Sequence, residues 1–509
     1  MLKATWRFAG LLTNLFVCKW ALRSAGRSLE WHSRGRGFKS PSVHSCNPCG
    51  YVLETTAMNV ELKPEIGWTH PTDPVAEVQQ FATPAAQRRY DIDWLRVILF
   101  ALLIWFHYAV FSLWQIEGDD SSMELFNLPL FIIIGVMHQW RLAALFIISG
   151  MGTAFAFRRR SWKTYIKERG ARLGLPLLFG TYILFFGIFE PIDATRRLFT
   201  PFPGSQHMPY GHLWFIYNLL IYSILLTPLF TYVKNNPNGK LIQFVRSVLK
   251  IRYGMGLLLL PPIVLFVNGL LFKPWAFGEV GMWWEFPRYL LYFFFGFLMI
   301  SAKEDYFPAI DRIRIPITII APIFAIAWYT VNESSSIPHV MDGGWVEEGY
   351  STFSYEATVA TFIQSFHAWF WCLFIFSWAS KILNRPSKWL AYLNEAVYPT
   401  YIVHMHLTFL PIAIFGIAGL GYYVGLTFGT ILVMIGVMVC FEIARRATYA
   451  RAIFGIKGGH EEVSKLFPYN MTEERSAKII LAIVAHMLVI GMIIGLMVAL
   501  IGAGILTGG

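Results

Sequence analysis

From residue 94 onward, long apolar runs alternate with short polar loops. A helix of about 20 apolar residues crosses a hydrocarbon core. On that criterion the pattern predicts helices near 94–114, 130–157 (with a candidate break at Gly135), 171–189, 212–232, 253–272, 286–301, 313–331, 359–382, 395–416, 421–443 and 478–506. The expected fold class is all-α, a polytopic transmembrane helical bundle of about 10–11 membrane-spanning helices, since backbone polar groups in lipid must be satisfied within each segment. Pro261-Pro262 predicts a kink in the fifth helix, because each ring removes a donor and crowds the preceding turn. No repeat relates the two halves of the chain.

The residues before the first run read differently. Residues 1–57 carry a net charge of +6 and three of the five cysteines, Cys18, Cys46 and Cys49. Ala9 to Val17 has the look of a weak signal-peptide core, and the acid-poor Arg/Ser-rich stretch after it that of a transit peptide. A third reading is preferred. Ser24 to Pro41 resembles the conceptual translation of a transfer-RNA gene, so 1–57 is expected to be a spurious extension with the true start at Met58. Cys46 and Cys49 would then be accidental, and Cys372 and Cys440, in separate apolar runs, imply no disulfide framework. Residues 58–88 are polar and proline-rich and read as a disordered lead-in. The remaining divisions expected are a transmembrane domain over 89–445, a cytoplasmic linker over 446–477 and an additional C-terminal helix over 478–509.

Composition agrees with the runs. The chain is 56% hydrophobic and only 14% charged, with a mean hydropathy of +0.50, where a soluble chain carries about a quarter charged residues. The net charge of +11 could suggest nucleic acid. However, the cations cluster in alternate loops, 157–169, 234–252, 303–314, 381–388 and 445–457, while the intervening loops at 117–120, 279–285 and 342–348 are acidic or neutral. Positive loops stay inside, so the N-terminus is expected in the cytoplasm and, after eleven spans, the C-terminus outside.

Ionisable groups within the runs are the functional candidates, because lipid makes them costly. Arg96 and His107 are eleven positions apart, which closes almost three turns and puts them on one face about 16 Å apart, together with Phe100 and Leu103. An anchoring arginine and a histidine bonded to a neighbouring helix would look the same from sequence. In the second helix His138, Arg141 and Ser149 share a stripe, although Ser149-Gly150 also fits close helix packing. His212 and Trp214 open the fourth helix, Arg288 opens the sixth, and His367, His404 and His406 fall in the eighth and ninth. No Walker loop, His-Glu-x-x-His or Gly-x-Ser-x-Gly turn is present, so kinase, zincin and hydrolase readings have no support. On physics alone a transporter and a membrane enzyme both remain open.

Four blocks carry a resemblance. Asp93-Trp-Leu-Arg96 is followed by His107 with ten residues between Arg and His. Arg141-Leu-Ala-Ala-Leu-Phe-Ile-Ile-Ser149-Gly150 is followed by Arg169 and Arg172-Leu-Gly-Leu-Pro176. His212-Leu-Trp-Phe comes third, and Tyr392-Leu-Asn-Glu-Ala-Val-Tyr398-Pro-Thr-Tyr401-Ile-Val-His404 fourth. Together they resemble the acyltransferase 3 family, in the branch that contains glucan biosynthesis protein C. Val397 departs from the serine that family members often have there.

The resemblance implies transfer of an acyl group, acetyl or succinyl in type, from cytoplasmic acyl-CoA to a hydroxyl of a glucan or other carbohydrate, at a bacterial inner membrane. Acyl-CoA would be a co-substrate. No cofactor would be bound permanently, no metal would be needed and no nucleic acid would be a partner. His107 and Arg96 would be the catalytic residues, His107 as general base or acyl relay and Arg96 at the mouth of the site, stabilising the thioester oxygen or the coenzyme. Arg158, Arg169 and Arg172 would face the coenzyme's phosphates, although topology alone also explains such a basic loop. His138, Arg141, Ser149, His212, Trp214, Tyr398 and His404 would line the acceptor side or be structural. The alternative is a multi-pass transporter or lipid-flipping protein, which inverted repeats and paired broken helices would favour.

Overall fold

The computed structural model describes residues 88–113, 121–184, 211–272, 285–333, 355–417 and 421–456, with Arg475 and Lys478. The expected extension 1–57, the lead-in up to residue 87, the end of the third predicted helix and almost all of 478–509 lie outside the described residues. The residues from Arg89 onward form one compact unit. Among the described residues every regular element is helical.

The chain enters through α1 (Tyr90–Leu113) and α2 (Ser121–Arg158), then a short α3 (Trp162–Arg169). Between Gly170 and Leu184 two π-helical turns flank the five-residue α4 (Leu175–Phe179). Next come α5 (Trp214–Leu225), α6 (Thr227–Asn235), α7 (Lys240–Lys250), α8 (Met255–Phe272), α9 (Glu285–Ser301) and α10 (Lys303–Arg312). The described chain closes with α11 (Arg314–Glu333), α12 (Tyr355–Ile382), α13 (Lys388–Ile417), α14 (Tyr422–Arg446) and α15 (Thr448–Ile453).

Six of these helices are long and apolar enough to cross a membrane, or seven if the bent pair α5 and α6 counts as one span. The chain is a multi-pass membrane protein. Two further expected spans fall within α9 and α13, and the one at 171–189 begins in the π-helical region. One local expectation is corrected. The second helix is not broken at Gly135 but runs unbroken from Ser121 to Arg158. The fifth continues through Pro261-Pro262, and a sharp bend of 50° lies between α5 and α6. Leu226 makes that break and Pro228 follows it in the first turn of α6, where the missing N–H has no helical partner to lose.

Two features show which surfaces face protein and which face lipid. On α11, Ile315, Ile319, Ile323 and Ile326 are exposed at helical spacing, and α14 presents Phe428, Ile431, Ile435 and Val439 in the same way. An apolar stripe turned outward is the mark of a lipid-facing helix. Inside, α2 packs on α9 through small residues. A Cβ on Gly150 would stand 1.9 Å from the Phe293 carbonyl oxygen, and one on Gly296 would stand 2.0 Å from that of Ile147. Reciprocal glycines let the two backbones touch, the usual means of holding helices together where lipid removes the hydrophobic drive.

The five basic loops gather at one end of the bundle. Lys234 Nζ donates to the Arg160 carbonyl (2.7 Å), and Arg312 Nη2 to that of Leu249 (3.2 Å). Arg314 Nε donates to the Ser377 carbonyl (3.1 Å), and Arg89 Nη2 to Ser380 Oγ (2.8 Å). Arg451 pairs with Glu395 at 3.8 Å. Helix polarity therefore alternates as the loop charges predict.

Candidate active site

α1 packs against α13, α14 and α2, and its Arg96 and His107 both meet α13. Arg96 Nη1 donates to Asn394 Oδ1 (3.0 Å), and His107 Nδ1 lies 3.0 Å from His404 Nε2. Asn394 and His404 are ten residues apart on α13, matching the eleven on α1, so the two helices run side by side with paired contacts at each end. Between them Phe100 packs edge-on against Tyr401 at 5.7 Å. The face predicted to hold Arg96, Phe100 and His107 is the face that packs.

The hydrogen bonds assign the protons. His404 is fully buried, and its Nδ1 lies 2.6 Å from the Tyr401 carbonyl, which can only accept, so Nδ1 carries the hydrogen. With both imidazoles neutral, His404 Nε2 must accept, and His107 Nδ1–H donates to it. His107 Nε2 is left with a lone pair that no described residue engages, on a side chain that is only partly buried. A backbone carbonyl thus does for this pair what a buried carboxylate does in a Ser-His-Asp triad: it selects the tautomer.

Two more histidines stand beside this pair. His212 lies 5.4 Å from His404 and 5.9 Å from His406, ring centre to centre. His212 Nε2 donates to the Ile402 carbonyl (3.2 Å), and the Tyr401 hydroxyl donates back to the His212 carbonyl. His406 Nε2 donates to the Leu184 carbonyl (3.0 Å). Among the described residues no group of three or more His, Cys, Asp or Glu has the geometry to hold a metal ion.

Arg141 and His138 approach from α2 through one ring. The Arg141 guanidinium sits 3.6 Å from the Phe106 centroid, and His138 stacks on Phe106 at 5.3 Å. Both are electrostatic neighbours of His107, as are His212 and His404. Trp214 packs against Tyr289 at 5.4 Å, Tyr289 is an electrostatic neighbour of Arg141, and Arg288 pairs with Glu285 beside it.

Arg96 belongs to a second cluster, near the basic end. Asn394 bridges it to Asp93, accepting from Arg96 and donating to Asp93 Oδ1 at 2.9 Å. Arg169 Nη2 donates to Thr153 Oγ1 (3.0 Å) and stacks over Tyr165. Arg172 lies 6.0 Å from the Tyr398 ring, and its buried Nε makes no hydrogen bond among the described residues. Arg96, Arg169 and Arg172 are electrostatic neighbours, an arrangement suited to a multiply charged anion.

Not every candidate joins. Arg158 is exposed at the end of α2, apart from these contacts. Ser149 donates to the Leu145 carbonyl of its own helix (2.8 Å), and its neighbour Gly150 serves packing. Tyr398, grouped by the sequence with the acceptor side, lies beside Arg172 instead. His367 stacks on Trp328 at 5.7 Å, away from the other histidines. Sequence reasoning passed over Asn394, Thr153 and the Tyr401 carbonyl. Asn394 stood in the quoted fourth block with nothing to distinguish it, and a backbone carbonyl leaves no mark in a sequence.

A profile of the acyltransferase 3 family, described as an acyltransferase domain, matches residues 89–441. The chain belongs to that family. It is an integral membrane acyltransferase that moves groups other than aminoacyl groups. Acyl chemistry therefore replaces the transporter alternative. Among curated relatives, glucans biosynthesis protein C of Escherichia coli K12, of E. coli O157:H7 and of Shigella dysenteriae serotype 1 are each 24% identical over 347 residues, covering 64% of this chain and 83% of their own. No solved structure matches the chain. The matched region contains both clusters.

Proposed function

We propose that this acyltransferase moves an acetyl- or succinyl-type group from cytoplasmic acyl-CoA to a hydroxyl of a glucan, or of another periplasmic or surface carbohydrate, from the bacterial inner membrane. The observation that carries the reading is the division of one helix face. An arginine cluster surrounds one end of the α1–α13 seam, and a tautomer-fixed histidine pair occupies the other, about 16 Å away along α1. Arg96, Arg169 and Arg172 would hold the coenzyme's phosphates, with the Arg172 Nε, which makes no hydrogen bond among the described residues, as a ready donor. The pantetheine arm would follow the seam past Phe100, bringing the thioester carbonyl to His107. Acyl-CoA is a co-substrate, and the scheme uses no resident cofactor or metal.

His107 Nε2 takes the proton of the acceptor hydroxyl as its oxygen adds to the thioester carbonyl. The tetrahedral intermediate then collapses, and the leaving thiolate recovers the proton from the imidazolium. A positioned base of this kind contributes typically about 10²–10⁴-fold. His138, His212 and Trp214 would border the acceptor. The names of the curated relatives support a glucan, and the basic loops gathered at one end support a cytoplasmic N-terminus.

Proteoliposomes with isotopically labelled acetyl-CoA or succinyl-CoA and glucan oligosaccharides test this directly. Label should reach the glucan in the wild type and not in His107→Ala. Transfer from some other donor, with none from any acyl-CoA, would overturn the donor assignment. Cysteines placed in the 157–170 loop should be shielded from outside reagents and those at 342–349 accessible; the reverse pattern would invert the sidedness.

A further inference from the structure

Arg141 is 1% exposed, and its Nε and Nη1 are buried without a hydrogen bond among the described residues. No carboxylate pairs with it there. Arg96, Arg169 and Arg288 are held by Asn394, Thr153 and Glu285 respectively, and Arg172, whose Nε also makes no hydrogen bond among the described residues, lies in the second cluster near the basic end. Among the described residues Arg141 is compensated by the Phe106 face 3.6 Å below it and by the electrostatic proximity of Tyr289, and neither contact uses the Nε and Nη1 hydrogens. A buried guanidinium with unused donors is costly and, in a membrane bundle, marks function. Its location narrows that function. Phe106 precedes His107, their rings lie 5.8 Å apart, and Arg141 is an electrostatic neighbour of both His107 and His404.

We infer that Arg141 is the oxyanion-stabilising catalytic residue, its N–H groups taking up the negative charge that forms on the donor's carbonyl oxygen. The inference rests on the reading of His107 as base. As the acceptor oxygen adds to the carbonyl carbon, the C=O π pair moves onto oxygen and His107 receives the hydroxyl proton. The resulting alkoxide faces the guanidinium. When the carbonyl re-forms, the C–S bond breaks and the thiolate takes the proton from His107. A guanidinium rigidly held on Phe106 is already oriented for that charge, so it favours the transition state over the bound substrate. Arg96 cannot serve, since it is bonded at the opposite end of the seam.

The test measures acyl transfer by wild type, Arg141→Lys and Arg141→Gln, with stability checked by thermal unfolding in detergent. Arg141→Gln should lower kcat about 10²–10³-fold, the loss seen when one oxyanion donor is removed, while KM for donor and acceptor stays within about threefold. Arg141→Lys, which keeps the charge and loses the fork, should fall between and serves if the Gln variant does not fold. Unchanged kcat would overturn the inference. So would a loss confined to the KM of a carboxylate-bearing acyl donor, which would make Arg141 a ground-state anchor. Mass spectrometry of acylated carbohydrate from cells reads the same variants whatever the donor. There, loss in Arg141→Gln beside normal acylation in His107→Gln would sink the base assignment and leave Arg141 standing.

Discussion

Arg96 and Arg141 are both arginines of a membrane bundle, on adjacent helices, yet their surroundings are opposite. Arg96 is partly exposed, near the basic end, and held by Asn394 with Asp93 behind it. Arg141 is enclosed at mid-bundle, rests on an aromatic face and has donors to spare. A partnered arginine at a water edge costs little and is suited to ground-state binding of an anion. One in the interior with donors unused among the described residues is suited to a charge that appears beside it transiently. The two regions thus separate holding a substrate from reacting it.

Perturbing each region should give a different kinetic signature. The largest effect belongs to His107→Ala, expected to lower kcat about 10²–10⁴-fold in the labelled-donor assay while the protein still inserts and elutes normally. His107→Gln, able to hydrogen-bond but not to shuttle a proton, should not rescue it. Near-normal activity in the Gln variant would remove His107 from the chemistry.

His404 comes next. Losing its bond to the charged imidazolium of His107, worth about 1.5–3 kcal/mol, should reduce kcat about 10–100-fold in His404→Leu. His404→Gln can place an acceptor oxygen opposite His107 Nδ1 and should recover part of that loss. Equal losses in the Leu and Gln variants would argue that His404 only packs.

At the basic end, Arg96→Gln should raise the donor KM about tenfold with little change in kcat, because one ground-state contact to the coenzyme is lost. A fall in kcat with unchanged KM would erase the contrast between the two arginines. The smallest catalytic change is expected from Gly150→Ala, which should leave KM intact but destabilise the bundle by about 1–3 kcal/mol, since the new Cβ meets the Phe293 carbonyl oxygen. A thermal-unfolding midpoint equal to wild type would mean that α2 and α9 can separate without cost.

Much of this was legible before any coordinates. The apolar runs located α1, α2, α8, α11, α12 and α14, because lipid imposes a length and a composition that survive in the sequence. Loop charge predicted which helix ends would meet. The Arg96–His107 register was readable because helical periodicity is rigid. An error came where a local rule met tertiary packing. Gly135 read as a break, yet the helix continues, since neighbouring helices can support a backbone that the isolated segment would bend.

Sequence by itself determined the class of molecule, the helical face that carries Arg96 and His107, and, through four spaced blocks, the family. These are properties of one segment at a time, set by rise per residue and transfer into lipid. Tertiary structure alone decided that His404, rather than His367, meets His107, that Tyr398 sits beside Arg172, and that Arg141 Nε and Nη1 make no hydrogen bond among the described residues. Each depends on which helices touch and at what height. In a bundle whose lipid-facing and core-facing positions are both apolar, no sequence pattern records that.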